Sequence, residues 1–351
     1  MRGAERTFAE MSACWPAAPI YTLLYDPAGA TAFAGREVHP SYLQRLGVGQ
    51  KGFRCLLPTF PRAVEHLPVE EYDVLVSSSS AFAHGIRPRP GALHVCYCHT
   101  PFRYAWFEQD RAMSETPRLA RPLMRRTLAR IRNWDLEAAR RVTHFVANSE
   151  ITRARIAEVY GVESEVLHPP VAVERFSIGE PEDYLLFVGQ LVRHKRVDVA
   201  IEAAKLAELP IKVVGDGPER AGLEARYADR PVQFLASVTD ERLAELYASC
   251  LALVVPNVEE FGIAAVEAQA AGRPVIAVGR GGVRETVVDG ETGLLVDDES
   301  AAGLAEAIRD AEFGRFDPEM IRSRSQRFSS ASFRTGIRDI VNGCRDTLSR
   351  A

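Results

Sequence analysis

An α/β architecture with two Rossmann-like parallel-sheet domains is predicted by three features of the sequence. From Asp183 onward, short β-branched runs alternate with amphipathic helical patterns, as they do when helices cover a parallel sheet. The residues ahead of Asp183 follow the same grammar with looser spacing. Between the two patterns, HPPVAVERFSIGEPED (168–183) interrupts both with prolines and a glycine and reads as a hinge.

The first domain, 1–172, is expected to place strands at APIYTLLYD, YDVLVSSSS, LHVCYCHTP and VTHFVANSE. Its opening is unusual. A domain of this kind starts with a buried apolar strand that runs into a glycine-rich loop, whereas this chain begins at the loop, Met1-Arg2-Gly3-Ala4-Glu5, and passes at once into helical sequence. The domain therefore lacks its expected first strand. Loss of a central strand exposes buried sheet edges, so the expectation is a native start upstream of Met1.

The second domain, 173–331, reads as YLLFVG, IKVVGDG, VQFLA, LALVVP, PVIAVG and GLLVDD, each run followed by a helix or turn. A final amphipathic stretch, 332–349, follows the completed domain and is expected to be a helix packing back on the first one.

With 351 residues, 46% of them hydrophobic, the chain is long enough for two separate cores. A net charge of -4 supplies no global attraction to nucleic acid, which is excluded as a partner. The six cysteines are scattered. Cys96 and Cys98 alternate on one strand and so share a face; they read as buried apolar thiols rather than as the four ligands of a structural zinc. No run of about 18 apolar residues exists, and MRGAERTFAE lacks the apolar core of an export signal. A cytoplasmic protein is expected, either free or peripheral at the inner membrane face.

The most informative segment is PNVEEFGIAAVEAQAAGRPVIA (256–277). A strand ends at Val255, a short loop carries Glu259 and Glu260, and a helix starting near Gly262 carries Glu267. The helix N-terminus then faces the carboxyl end of a parallel sheet, where α/β folds bind ligands. Free N–H groups around Phe261, Gly262 and Ile263, backed by the helix dipole, suit a diphosphate. Glu260 reads equally as a residue that only satisfies the dipole. Glu267 interrupts an apolar stripe, and a carboxylate there needs partners such as ribose hydroxyls.

This segment resembles the E-x7-E motif of family 4 retaining glycosyltransferases of the GT-B fold, with Glu259 and Glu267 as the two carboxylates. VGQLVRHKRVDVAIEA, VVGDGPE, FLASVTDERLAELYASC and GRGGVRETVVDGETGLLV extend the resemblance through the second half. In the first half CHTPFRYAW, Trp134-Asp135, ANSE, HPPV and the initial RGAER resemble the branch that includes GDP-mannose-dependent mannosyltransferases of surface-polysaccharide assembly.

The resemblance implies two domains facing a cleft, with the donor held by the second. Glu267 would hold the nucleotide ribose, Glu259 the sugar side, and Lys195 the diphosphate, with Arg193 as a helper. A lysine and a helix N-terminus together oppose the charge that develops on a departing nucleoside diphosphate. Asp216, Ser237 and Val238 would line the nucleotide pocket. Gln190 stands where the family's common pattern has a phosphate-binding arginine, which shifts that role toward Arg193 or Arg196. His99, Arg103 and Gly3 would face the acceptor. The implied reaction transfers a hexosyl group, mannosyl from GDP-mannose, to a glycan or lipid-linked saccharide. It needs no cofactor, since the nucleotide sugar is a substrate, and the chain has no Asp-x-Asp pair for a metal.

Arginines 118, 121, 125, 126, 130, 132, 140 and 141 lie among leucines and alanines on one helical stretch. They read either as a solvated face, diluted by Asp135 and Glu137, or as a contact for lipid phosphates or an anionic membrane. Two other readings of the whole chain remain open: a GT-B epimerase, which would turn over without acceptor, and a noncatalytic protein that binds nucleotide sugars.

Overall fold

A computed structural model describes residues 3–47, 53–229 and 231–350. Met1, and Arg2 of the initial RGAER run, lie outside the described residues. The chain divides into two compact units, Met1–His168 with Phe333–Ala351, and Pro169–Ser332.

In the first unit the strands are β1 (Ile20–Thr22), β2 (Val38–Pro40), β3 (Val74–Ser79), β4 (Leu93–Cys98), β5 (His144–Ala147) and β6 (Ser164–Val166). The last four form a parallel sheet in the order β3-β4-β5-β6, whereas β1 and β2 form a separate parallel pair. The strands β2 and β6 were not anticipated from the sequence. Each has only three residues, VHP and SEV, with too few positions for an alternating pattern to register.

β4 is buried at every position. Burial raises the Cys96 thiol to about 12, as it does that of Cys250 in the second unit, so both behave as apolar side chains. The side chain of Cys55 lies outside the described ones.

Helix Gly3–Ala13 is the first described element. Its Met11 packs with Leu93, Val95 and Tyr97 of β4 and with Phe333, Ile337 and Val341 of the final helix, Ser330–Arg350. Those three residues recur every fourth position and form the apolar stripe of the final helix. Gly3 itself is the first residue of a helix and not part of a loop. Among the described residues, no helix is long and apolar enough to cross a membrane.

The second unit contains β7 (Leu185–Val188), β8 (Ile211–Val214), β9 (Val232–Leu235), β10 (Ala252–Val255), β11 (Val275–Val278) and β12 (Gly293–Val296). All are parallel, in the order β12-β11-β10-β7-β8-β9. Side chains alternate across the sheet: Leu186, Leu253 and Val275 enter one core layer, and Leu185, Val254 and Ile276 the other. The strand order also fixes where a ligand can sit. From β7 the chain proceeds outward to β9, then returns to the other side of β7 with β10, which makes β7/β10 the switch point of the sheet. Ligands of open α/β sheets bind at the carboxyl ends of the strands at that point. Two loops leave there, 189–196 after β7 and 256–262 after β10.

Candidate functional site at the switch point of the second sheet

The loop after β7 is shaped by glycines of its neighbour. Gly215 has φ +142, and a Cβ on it would lie 1.9 Å from the carbonyl oxygen of Gly189. A Cβ on Gly217 would lie 2.4 Å from that of Leu191. Only glycine allows this approach. The two loops are then tied by Leu191 N–H donating to Asp216 O (2.9 Å) and Glu219 N–H to Leu191 O (3.0 Å). So supported, the loop ends in a 3-10 turn, Arg193–Lys195.

The loop after β10 is held in the same way. Gly282 N–H donates to Glu259 O at 2.7 Å, and a Cβ on Gly282 would lie 2.2 Å from Glu260 O. Gly262, at φ +89, caps the start of helix Ile263–Ala270. Phe261 is buried and meets the edge of Phe328 at 5.4 Å, which fixes the helix entry. At the far end, the Arg322 guanidinium donates to the Ala270 carbonyl at 2.9 Å and so opposes the negative pole of the helix.

These loops bring two predicted residues together across 64 positions. The Lys195 ammonium donates to Glu259 Oε1, which also accepts from the Asn257 amide at 3.0 Å. Both charged side chains are 23% exposed. Eight residues on from Glu259, within helix Ile263–Ala270, Glu267 is mostly buried and accepts from the Tyr247 hydroxyl at 2.8 Å. Sequence reasoning missed Asn257 and Tyr247. Asn257 lies two residues from Glu259 and was legible as a local partner; Tyr247 comes from another helix, Asp240–Ser249, and only the fold brings it in.

Other predicted residues spread around this point. Gln190, Arg193, Asp216 and Ser237 are exposed. Val238 and Ile263 are half-buried against the core layer that contains Phe261. Arg193 has no side-chain partner among the described residues. Arg196 differs from expectation: it sits at φ +50 and turns to Glu299, donating to its carboxylate at 3.1 Å and its carbonyl at 2.7 Å. That pairing leaves Arg193 as the arginine of this loop open to an anion.

In the first unit, His99 follows β4 and is nearly buried, its Nε2 2.9 Å from Ser78 Oγ. Burial, assisted by the positive charge of Arg103, lowers its pKa to about 4, so the ring is neutral at pH 7. Arg103 opens the short helix Arg103–Trp106. The neighbouring serines of β3 do the same for other histidines: Ser77 Oγ lies 2.8 Å from His94 Nε2, and Ser79 Oγ 3.1 Å from His84 Nδ1.

Four residues of the arginine-rich stretch differ from a solvated face: Arg121 donates to Thr116 O at 3.2 Å, Arg132 donates to the Ala105 carbonyl and lies over the Trp106 ring, and Asp135 and Arg141 turn inward. Asp135 does not dilute surface charge, because it is fully buried and accepts from Trp106 (2.7 Å) and Tyr160 (3.0 Å). Arg141 lies beyond helix Arg121–Ala139 and turns inward to Glu65 at 2.9 Å. Arg118, Arg125, Arg126 and Arg130 do remain exposed.

Comparison with known proteins converges on one family. Residues 1–175 match the family model described as Glycosyltransferase Family 4, and residues 172–328 match Glycosyl transferases group 1. A D-inositol 3-phosphate glycosyltransferase of Streptomyces avermitilis is 29% identical over 311 residues, covering 70% of this chain and 66% of that protein. One of the same description from Frankia alni is 29% identical, covering 62% and 65%. The chain thus spans just under two thirds of the length of these relatives. Among solved structures, Anabaena Alr3699/HepE in complex with UDP and glucose has a TM-score of 0.69 at 18% identity, covering 97% of this chain and 96% of that one. Sucrose-phosphate synthase from Thermosynechococcus elongatus has a TM-score of 0.71 at 19% identity, covering 99% and 92%.

Proposed function

We propose that this chain, which belongs to the family 4 glycosyltransferases and has their GT-B fold, transfers a hexosyl group from a nucleoside diphosphate sugar to an acceptor hydroxyl. The observation that carries this reading is the Lys195–Glu259 pair at the switch point, beside the N-terminus of helix Ile263–Ala270. In this reading the diphosphate lies between the Lys195 ammonium, Arg193 and the amides of 261–263. As the acceptor oxygen bonds to the anomeric carbon, the bond from that carbon to the phosphate oxygen breaks, the electron pair leaves with the diphosphate, and the acceptor hydroxyl gives its proton to the departing phosphate oxygen. A fixed cation and a helix N-terminus stabilise that charge without reorganising. Glu267, oriented by Tyr247, takes the ribose hydroxyls, and Glu259 faces the sugar. His99, neutral at pH 7, accepts or donates one hydrogen bond on the acceptor side, with Arg103 and Gly3 nearby in the sequence reading.

For the donor we propose GDP-mannose, on the resemblance carried by CHTPFRYAW and ANSE. A second reading, a UDP-sugar, is favoured by the UDP held in the Anabaena structure. Calorimetric titration with GDP-mannose, UDP-glucose and ADP-glucose decides between them, and a protein that binds none of the three loses the donor site altogether. Binding without transfer to any saccharide or phosphate-bearing acceptor would favour a noncatalytic nucleotide-sugar protein. Turnover of donor alone would favour an epimerase.

The acceptor side also points to an anionic membrane. Leu119 is 98% exposed and Leu123 67%, on the stretch that carries Arg118, Arg125 and Arg126. Apolar side chains set among arginines fit a lipid interface. Sedimentation with vesicles containing anionic lipid should retain the protein, and Leu119→Ser with Leu123→Ser should release it. Equal retention of both forms would remove this surface from the proposal.

A further inference from the structure

One residue beside the candidate site breaks two local rules at once. Arg196 follows Lys195, closes the 3-10 turn Arg193–Lys195 and caps the start of helix Val197–Leu206. Its φ is +50, and among the described residues only Glu208 shares a positive φ without being glycine. A side chain in that region crowds its own backbone, which lowers the population of the conformation by about tenfold. Its charge is misplaced as well, because the positive end of a helix dipole disfavours a cation. Such departures persist only where the surroundings impose them.

Glu299 is what imposes them. Helices Val197–Leu206 and Ala301–Asp310 pack in one core layer, through Ala200, Ile201 and Ala204 on the first and Leu304, Ala305 and Ile308 on the second. The packing sets Glu299, two residues ahead of Ala301, beside Arg196. The guanidinium donates to Glu299 Oε2 at 3.1 Å and to the Glu299 carbonyl at 2.7 Å. The other carboxylate oxygen pairs with Arg280 at 2.7 Å. The backbone of Glu299 is fixed too: Asp298 accepts from the Ser300 N–H and hydroxyl, both at 2.9 Å, and Ser300 Oγ accepts from Gly303 N–H at 3.1 Å. Arg196 and Glu299 are each 32% exposed, so their ion pair alone contributes little to stability. What it secures is the bend. Arg196 N–H donates to Arg193 O at 3.2 Å and Val199 N–H to Arg196 O at 3.0 Å, which makes the left-handed residue the joint between turn and helix. Relaxation to the right-handed region would swing the turn, and Lys195 with it.

We propose that Arg196 is a positioning residue, on the reading that Lys195 meets the diphosphate: anchored to Glu299, it keeps the 193–195 turn in the form that aims the Lys195 ammonium at the phosphates, without touching them itself. This assigns Arg196 a different role from the phosphate contact that Gln190 leaves open, which stays with Arg193. A cation held in place before the donor arrives needs no reorganisation when charge develops on the leaving group. Without the anchor, the turn is in its binding form for only a fraction of the time, and apparent affinity falls by that fraction.

The test is calorimetric affinity for the better bound of GDP and UDP. Arg196→Ala removes the anchor but keeps the Cβ, and should weaken binding by about tenfold. Arg196→Gly removes the anchor too, yet glycine takes the left-handed conformation freely, so its affinity should stay within about twofold of the unsubstituted protein. Glu299→Ala, which leaves the carbonyl contact, should weaken binding by about threefold, and adding Arg196→Gly should restore it. Equal losses in Arg196→Ala and Arg196→Gly would make the guanidinium a phosphate ligand and overturn the proposal. So would an Arg196→Ala protein with lowered Tm and unchanged affinity, whose ion pair would be structural only. Should Arg196→Ala fail to fold, Glu299→Ala with and without Arg196→Gly decides by the presence or absence of rescue. Lys195→Met separates this proposal from the reading beneath it. Unchanged affinity in Lys195→Met removes the diphosphate reading and the proposal together, whereas a loss there with none in Arg196→Ala removes the positioning role alone.

Discussion

In the second unit, the polar groups of the candidate site stand on loops at the open end of a continuous six-stranded sheet, and Lys195 and Glu259 stay 23% exposed. In the first unit, the comparable groups lie inside: Asp135 and His94 are fully buried, His99 nearly so, and the sheet is split into four strands and two. One unit keeps its charges where a charged ligand can reach them. The other uses buried neutral histidines and a buried carboxylate to tie segments together, which makes its polar groups part of the core. Mutations at the two places should therefore separate, with activity lost at constant stability in the second unit and stability lost in the first.

The largest effect expected is that of Lys195→Met. The substitution keeps most of the side-chain volume but removes the cation that pairs with Glu259 among the described residues. Loss of a group that stabilises leaving-group charge lowers kcat by about 10²–10³-fold, whereas loss of a partly exposed ion pair changes stability by about 1 kcal/mol or less. Steady-state rates and thermal unfolding measured together check this. A variant that unfolds early but turns over normally would place Lys195 with the structural ion pairs and erase the contrast between the units.

The next effect concerns acid. Burial lowers His99 to about 4, assisted by Arg103, and lowers His94 to about 3, assisted by the charges of His84 and Arg141. Both rings are neutral when folded and take up a proton near pH 6.5 when unfolded. Their contribution to stability is complete above that pH and is lost as pH falls toward 4, because the unfolded chain binds up to two more protons. The slope is about 1.4 kcal/mol per pH unit for each ring, so roughly 2–3 kcal/mol disappears between pH 6.5 and 5. All three tryptophans, at 15, 106 and 134, belong to the first unit. Their fluorescence in urea therefore reports that unit alone. His94→Gln should flatten the pH dependence by one ring's share; a midpoint that is the same at pH 7 and pH 5 would contradict the neutral buried histidines.

The same contrast explains what could be read from the sequence. All six strands of the second unit were visible, because each is a short β-branched run between turn residues, and Glu259, Gly262 and Glu267 lie within nine positions of one another. Glycine spacing such as 215–217 is also local, though the reason for it, contact with Gly189 and Leu191, is not. In the first unit, the partners are distant. Asp135 meets Trp106, and Ser78 meets His99, 29 and 21 residues away. No periodicity encodes such pairs, so Asp135 read as a surface charge.

Tyr247 is the position where the two behaviours meet, and Tyr247→Phe is the mildest test. Its ring is fully buried and edge-on to Phe176 at 5.5 Å, as in a core, yet its hydroxyl donates to Glu267 at 2.8 Å, as in a site. Phenylalanine retains the ring packing and removes only the donor. A hydrogen bond to a charged group contributes about 1.5–3 kcal/mol, of which part is recovered when Glu267 turns to other donors. If Glu267 holds the ribose, the loss should appear as nucleoside diphosphate binding weakened by roughly tenfold, about 1.4 kcal/mol, with kcat at saturating donor little changed, because the ribose is remote from the breaking bond. If the hydroxyl serves only the core, Tm should fall while calorimetric affinity stays constant. That second outcome would move Glu267 out of the donor site and leave the Lys195–Glu259 pair as the remaining support for it.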